Sequence, residues 1–218
     1  MPRATATEAA RTRDEIMSTA LRVFARKGYA ATRLVDVAEE MGVTRGAIYG
    51  HFNSKKDLFL EVVQQSQDPI YALLREMQES VFEDLSPLRA IRRMMLGWCR
   101  LLREDPAHRA GFELVLTKTT FIDELEELYE REKKLTRDVI RGVARMVEHG
   151  QALGEFPEGL AARDAGLTVY LHLMGVTQAW LFNPKLFSLA RRAEALADAT
   201  LAGLGARPAG GDAPRAPR

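Results

Sequence analysis

The sequence is poor in the residues that form disulfides and metal centres. Its 218 residues include one cysteine, Cys99, and four histidines, His51, His108, His149 and His172. A single cysteine cannot form a bridge within the chain, and the histidines are too scattered for a recognisable zinc motif. We therefore expect neither a structural disulfide nor a structural metal, and we expect no cofactor.

Long apolar runs are also missing. No segment reaches the ~18 consecutive apolar residues that a membrane-spanning helix requires. The stretch from Met1 to Asp14 has none of the apolar character of a signal peptide. This pattern predicts a cytoplasmic protein with no membrane partner.

The net charge is small, at +1, so the chain does not have the basic balance of a protein that coats nucleic acid. The charge is unevenly distributed, however. Residues 1–58 carry ten Lys and Arg against seven acids, whereas residues 121–158 carry six against ten. Any contact with DNA must therefore come from local patterning, and the asymmetry weakly favours the N-terminal end.

Apolar residues recur at helical spacing along nearly the whole chain, without the sustained two-residue alternation of strands. We therefore predict an all-α fold of about nine helices. Thr32, Thr44 and Ser54 are predicted N-caps, and Gly28 and Gly150 are predicted helix ends. The predicted helices cover approximately 12–27, 32–41, 44–50, 54–79, 86–104, 107–117, 122–150, 161–182 and 188–204.

A helix-turn-helix is indicated between residues 34 and 49. Ala38 is small enough for two helices to cross closely, and Gly42 suits the tight turn between them. Val37, Val43 and Ile48 are predicted to pack between the two helices. The second helix of such a motif lies in the major groove of DNA.

The exposed residues of that second helix are candidate DNA contacts. Arg45 is the best candidate for guanine, because its planar fork matches the O6 and N7 edge, and Gly46 allows close backbone approach. Tyr49 could instead be a core aromatic with a surface hydroxyl, and His51 could simply cap a helix. Three nearby apolar residues are predicted to be core: Phe52, Leu58 and Phe59.

Residues 12–60, and especially the segment 42–59, resemble the signature of the TetR family of transcriptional regulators. The resemblance implies a homodimer that binds double-stranded operator DNA. It also assigns roles by motif position. Phosphate contacts are implied for Thr32, Tyr49, His51 and Lys55, and base contacts for Arg33, Thr44, Arg45 and Gly46. Lys55 at a helix N-terminus is also a good phosphate site on physical grounds. The sequence departs from the pattern at Gly50, where close relatives of this motif often carry a large aromatic.

The later helices are rich in methionine and aromatic residues on more than one face, which is more typical of a core than of a ligand pocket. A second resemblance, from Pro87 to Glu113 and around Trp180, is to the AcrR and TtgR subgroup of multidrug-efflux repressors. It implies a hydrophobic small-molecule effector. By alignment, eight residues fall at or near the pocket: Met95, Trp98, Phe112, Leu135, Val139, Tyr170, Leu173 and Met174.

Two apolar stripes are predicted to remain after packing and to form a four-helix dimer interface, as in the family. They comprise Leu167, Tyr170, Leu171, Met174, Gln178 and Leu181, and then Leu189, Leu196 and Leu201 in the last helix. A two-fold dimer can place its recognition helices in successive major grooves, ~34–36 Å apart. An effector beside the helix at 54–79 would shift that helix and move the recognition helices out of register.

Together these patterns predict a ligand-responsive transcriptional repressor of a multidrug efflux operon. The alternative is a TetR-type regulator of a fatty acid, signal lipid or specific metabolite. We predict a DNA-binding domain at 1–58, a ligand-binding and dimerisation domain at 59–205, and a disordered tail at 206–218. No paired carboxylates, nucleophile with base or phosphate loop indicates an enzyme. A helical interaction module that does not bind DNA is disfavoured, since Arg45, Tyr49 and Lys55 are all present.

Overall fold

The computed structural model describes residues 6–79, 86–119 and 123–207, and every regular element within these ranges is helical. This confirms the predicted all-α fold. A short 3-10 helix, Asp123–Leu125, precedes the seventh of the nine α-helices found in these ranges. The α-helices are α1 Ala6–Ala31, α2 Leu34–Met41, α3 Arg45–Tyr49, α4 Lys55–Glu79, α5 Pro87–Glu104, α6 Pro106–Thr117, α7 Glu126–Ala152, α8 Ala162–Phe182 and α9 Leu189–Gly203.

No helix in those ranges is both long enough and apolar enough to cross a bilayer. The predicted disordered tail lies outside the described residues from position 208 onward. The two tail residues that are described are held by backbone hydrogen bonds, from Ala206 N–H to the Leu201 carbonyl and from Arg207 N–H to the Glu155 carbonyl.

The helix boundaries differ from the prediction at α1 and α2. Helix α1 begins at Ala6 rather than Thr12, and Gly28 interrupts it with φ 76 and ψ 165, where the helix end was predicted. Thr32 does not cap α2, which begins at Leu34 after the N-cap Arg33. The Thr32 hydroxyl donates instead to the Gly28 carbonyl at 2.7 Å, across the short segment that follows the kink at Gly28.

The predicted end of α7 at Gly150 is also wrong, since the helix continues to Ala152. Gly150 is buried within the helix, and a Cβ added there would lie 2.6 Å from the Phe156 ring. A side chain at this position would therefore collide with its neighbour, and the glycine permits close packing rather than a turn.

Two of the predicted N-caps are confirmed. The Thr44 hydroxyl accepts from the Ala47 N–H at 3.3 Å, and the Ser54 hydroxyl accepts from the Asp57 N–H at 3.0 Å. These bonds satisfy N–H groups that have no partner within their own helix.

The chain packs as two units, and α4, α5 and α7 each contribute residues to both. The first unit contains residues up to Pro69 together with Glu104–Arg131. Its core is centred on Phe59, which lies 5.0 Å from the Phe24 ring and 4.6 Å from the Tyr29 ring, measured between centroids. Other members of this core include Phe52, Leu58, Leu114 and Leu128. The burial of Phe52, Leu58 and Phe59 confirms that these residues are core.

Helices α4 and α6 are in close contact within this first unit. The fully buried His108 on α6 places its Nδ1 atom 2.6 Å from the Ser66 carbonyl oxygen on α4. Burial lowers the pKa of His108, which favours the neutral ring. Gly111 faces the same turn of α4, since a Cβ there would lie 2.0 Å from the Ser66 hydroxyl. The neutral imidazole therefore donates from Nδ1 and fixes α6 against α4.

The second unit contains Ile70–Arg103 and the described residues from Glu132 on. Its interior includes Trp98 and Leu102 of α5, Val139 of α7 and Leu173 of α8, all almost completely buried. Cys99 is buried on α5, and burial raises the pKa of its thiol to about 11.

Helices α7 and α8 approach each other closely at Gly166. A Cβ added there would lie 2.4 Å from the Ile140 carbonyl oxygen and 3.4 Å from the Ala144 nitrogen. Because the obstacle is backbone, a side chain cannot be accommodated by rotating a neighbour. The packing of α8 on α7 in this unit therefore depends on glycine at this position.

We predict that Gly166→Ala destabilises the protein by about 1–3 kcal/mol, because the two helix backbones must separate. Urea unfolding followed by circular dichroism measures this free energy. The matched control is Gly203→Ala on α9, where no atom lies within 4 Å of an added Cβ. The control should change stability by less than about 0.5 kcal/mol, and equal effects of the two variants would contradict the prediction.

Candidate DNA-binding surface and effector region

The turn between α2 and α3 has the geometry of a helix-turn-helix. Gly42 is left-handed, with φ 69 and ψ 28, and its N–H reaches the carbonyls of Ala38 and Glu39. Helix α3 has only five residues, and its Ile48 is fully buried beside a core that includes Val37. Val43 was expected to pack between the helices, but it is 38% exposed and lies on the surface. The left-handed turn carries its side chain away from the α2–α3 contact.

Asp36 fastens α2 to the end of α1. Its buried carboxylate accepts from the Arg33 backbone N–H at 2.7 Å and lies 3.1 Å from the Lys27 ammonium and 3.6 Å from the Arg33 guanidinium. The hydrogen bond from Arg33 is the main cause of a lowered pKa for Asp36, with a further contribution from Lys27. A second ion pair between the same helices joins Arg26 to Glu40 at 2.8 Å.

The outer side of α3 presents the four residues predicted from the sequence. Thr44, Arg45, Gly46 and Tyr49 are all exposed, and Tyr49 at 43% exposure is therefore not a core aromatic. Arg45 donates to the Tyr49 hydroxyl at 2.9 Å, and its guanidinium carbon lies 5.0 Å from the Tyr49 ring centroid. The two side chains form one hydrogen-bonded pair at the surface, with further donors of Arg45 available.

The residues with implied phosphate contacts have different environments. His51 is half-buried, whereas Arg33, an implied base contact, is exposed. Lys55 is half-buried at the start of α4. Its ammonium group donates to the Tyr29 carbonyl at 3.0 Å and lies 4.1 Å from the centroid of the Tyr29 ring. Thr32 is fully buried, and its hydroxyl is used in the turn. Thr32 and Lys55 thus stabilise the backbone around Tyr29, and their contacts with DNA stay predictions.

Seven of the eight predicted effector residues belong to the second unit, whereas Phe112 on α6 belongs to the first. Five of the seven are almost completely buried, and Tyr170 and Met174 are half-buried. The buried five are Met95, Trp98, Leu135, Val139 and Leu173. Their positions fit both a packed core and the wall of an effector pocket, so the effector site stays a prediction.

Two hydrogen bonds place polar groups among these apolar residues. Trp98 Nε1 donates to the Thr177 hydroxyl at 3.0 Å, and the Thr136 and Tyr170 hydroxyls lie 2.9 Å apart. Thr177 is fully buried and was missed by the sequence reasoning. A threonine within the apolar α8 is the signal that could have identified it, because a buried hydroxyl requires a partner.

The predicted dimerisation stripes are only partly exposed. Leu167 and Leu171 of α8 are 41% and 58% exposed. Leu189 and Leu201 were expected to remain exposed on α9, but both are buried in the second unit, at 3% exposure each. Their side chains complete the interior of a single chain. Phe182, the last residue of α8, and Leu186 just after it are exposed apolar side chains instead, at 90% and 65% exposure.

Two family models match the chain. The model of bacterial regulatory proteins of the tetR family matches residues 16–62, and that of the C-terminal region of MAATS-type transcriptional repressors matches residues 86–205. The chain belongs to the TetR family. TetR-family membership confirms the resemblance seen in the sequence. Membership also confirms that the chain is a transcriptional repressor with a DNA-binding helix-turn-helix. It confirms as well that the chain is not an enzyme.

Known relatives of this TetR-family chain include regulators of the expected subgroup. The transcriptional regulator AcrR of Shigella flexneri is 31% identical, over 88% of this chain and 89% of AcrR. TtgR of Pseudomonas putida is 30% identical, over 84% and 87% respectively. The crystal structure of NalD, the secondary repressor of the MexAB-OprM multidrug efflux pump in Pseudomonas aeruginosa, aligns with a TM-score of 0.80 at 27% identity. That alignment covers 93% of this chain and 99% of NalD.

We predict that Asp36→Asn destabilises the protein by about 1 kcal/mol at neutral pH, because it removes the charge that Lys27 and Arg33 stabilise. A lowered pKa in the folded state means that this stability is present above the ordinary aspartate value of 3.8 and is lost as pH falls through the folded value. The difference in unfolding free energy between wild type and variant, measured with urea, should therefore shrink as the pH falls below 3.8 and through the folded-state pKa of Asp36.

The control for Asp36→Asn is Glu39→Gln, an exposed acid on the same helix. It should cost less than about 0.5 kcal/mol. A wild-type advantage over Asp36→Asn that stays constant through acid pH would contradict the assigned role of the Asp36 charge.

Proposed function

We propose that this chain represses a multidrug efflux operon, binds its operator as a homodimer, and is released when a hydrophobic small molecule occupies the second unit. The observation that carries the proposal is the exposed Arg45–Tyr49 pair on the short, capped α3. The role of NalD, at 27% identity over nearly its full length, supports the assignment to efflux. In this proposal residues 1–58 bind the operator and residues 59–205 bind the effector and the second copy.

Arg45 is the proposed base-reading residue. Its exposed guanidinium can present two parallel N–H groups to guanine, while the Tyr49 ring holds its plane. Thr44 and Gly46 approach neighbouring bases, and Arg33 contributes at the groove edge. The proposed phosphate contacts are Tyr49, His51, Lys55 and Thr32. Thr32 acts indirectly, through the turn that its hydroxyl stabilises.

The effector is proposed to bind among α5, α7 and α8 in the second unit. Met95, Leu135, Val139, Leu173 and Met174 supply adaptable apolar walls, which suit ligands of varied shape. Trp98 and Tyr170 supply aromatic surface, and their hydrogen-bond partners Thr177 and Thr136 are polar groups that can orient a ligand. Phe112, the eighth residue implied by the alignment, lies on α6 in the first unit, and its part in the site stays a prediction from the sequence.

Homodimerisation is proposed through α8 and α9. A groove of about 610 Å³ lies between these helices, with His172, Val176, Phe187 and Leu196 among its lining residues. Its walls, together with the exposed Leu167 and Leu171, form an apolar surface that a second copy would cover. Since α4 supplies residues to both units, it is the proposed route by which an effector changes operator affinity. A coupling of about 1–3 kcal/mol would be sufficient.

We predict that Arg45→Ala weakens operator binding by about 5- to 150-fold, the equivalent of losing one bidentate base contact. Fluorescence anisotropy with DNA from the gene's own upstream region measures this at fixed salt, because phosphate contacts make affinity salt-dependent. The control is Arg145→Ala, an exposed arginine on α7. If Arg45→Ala binds the operator as tightly as wild type, the proposed reading of bases by α3 is wrong.

The same assay tests the effector with a panel of hydrophobic drugs, fatty acids and metabolites. Release by several unrelated drugs supports the efflux repressor. Release by a single fatty acid or metabolite would instead favour the alternative function, a TetR-type regulator of that one compound. A chain that binds none of the upstream fragments would contradict the proposed operator function itself.

We predict that Leu171→Glu converts the dimer to a monomer and abolishes tight operator binding, because it places a charge in an apolar interface. Light scattering coupled to gel filtration measures the mass. The control is Leu153→Glu, which changes a leucine that is 51% exposed outside α8 and α9. A wild-type chain that is monomeric at the concentrations of the DNA assay would exclude the proposed interface.

A further inference from the structure

A cleft of about 870 Å³ lies between the last turns of α4 and the outer side of α5, within the second unit. Four arginines of α5 line it: Arg89, Arg92, Arg93 and Arg100. These residues recur within about three turns of one helix, so their side chains share one side of it. The site is separate from the proposed effector residues of α5, because Met95 and Trp98 are buried in the interior.

The charge of α5 is unusual for this protein. The helix carries five arginines and one acid, Glu104, at its last position. On α1 and α7, by contrast, an exposed basic residue pairs with an acid one turn away, as in Arg11–Glu15 at 3.1 Å and Lys134–Asp138 at 2.9 Å. Helix α5 has no such acid near the cleft, although like charges one turn apart destabilise a helix.

Three of the four arginines are not neutralised by any described residue. The guanidinium groups of Arg89, Arg93 and Arg100 are exposed and make no ion pair or hydrogen bond within the described ranges. Arg92 is different, since its Nε atom lies 2.6 Å from an Asp198 oxygen and its Nη2 atom lies 3.2 Å from Glu194. Arg92 is thereby fixed to α9, while its neighbours leave uncompensated positive charge in the cleft.

The floor of the cleft is apolar. Leu73 of α4 and Leu96 and Gly97 of α5 line it, and a Cβ added at Gly97 would lie 2.6 Å from the Leu73 Cδ2 atom. The two helices are therefore in direct contact beneath the arginines. A ligand in the cleft meets apolar surface below and guanidinium donors around the rim, and guanidinium groups match the oxygens of phosphates and carboxylates.

We propose that this cleft binds an amphipathic anion, with a phosphate or carboxylate head group on the arginines and an apolar chain along Leu73 and Leu96. The volume is in the range of sites for drug-sized ligands. One acid, the exposed Glu76, also lines the cleft. It repels an anion, so its removal should strengthen binding while loss of an arginine weakens it.

The test is isothermal titration of the full-length protein at fixed ionic strength with dodecyl phosphate, below the concentration at which it forms micelles. Dodecanoate tests the carboxylate head, dodecyl maltoside has the same chain without charge, and inorganic phosphate has the charge without the chain. We expect one or both anionic amphiphiles to bind more tightly than either dodecyl maltoside or inorganic phosphate. Equal binding of dodecyl maltoside or of inorganic phosphate would overturn the proposal.

Variants locate the site. Arg93→Gln combined with Arg100→Gln should weaken anion binding by at least about tenfold, and Glu76→Gln should strengthen it. The matched control is Arg145→Gln, an exposed arginine on α7 outside the cleft. Binding that is unchanged in the double variant, or lost equally in Arg145→Gln, places the anion elsewhere and refutes the proposal. Operator binding by the same variants is measured separately, so a failure of the repressor function is distinguishable from a failure of this site.

Discussion

The candidate DNA-binding surface depends on how a five-residue helix is held in place. A helix as short as α3 has no stability of its own in water. Its position is fixed by the left-handed Gly42, by the Thr44 hydroxyl on the Ala47 N–H and by the complete burial of Ile48. The direction in which Arg45 points is therefore set by the packing around Ile48 rather than by α3 itself.

The two units use buried polar groups for different purposes. In the first unit, Asp36 ties α2 to α1 through its ion pair with Lys27, and His108 ties α6 to α4 through its hydrogen bond to the Ser66 carbonyl. These contacts favour one arrangement of the helices, as expected where the geometry of a surface must be constant. In the second unit the buried hydroxyl of Thr177 meets Trp98 within an apolar interior.

Much of this architecture could be predicted from the sequence, because its signals are local. The turn at Gly42, the caps at Thr44 and Ser54 and the apolar spacing of the helices each depend on residues a few positions apart. The failures are non-local. Threonine is a favoured N-cap residue, yet α1 is kinked at Gly28 and the Thr32 hydroxyl bonds to the Gly28 carbonyl instead of capping α2. Leu189 and Leu201 are as apolar as Leu171, and only the folded chain reveals which of them are covered. The arginines of α5 are visible in the sequence, but their cleft is formed jointly with α4.

The environment of Cys99 has a practical consequence. A thiol that is buried on α5 and whose pKa is raised to about 11 holds almost no thiolate at neutral pH. Since Cys99 is the only cysteine in the chain, we expect the native protein to react slowly with alkylating reagents and mild oxidants. A cysteine engineered on the surface could then carry a spectroscopic label at a single position, without first removing the natural thiol.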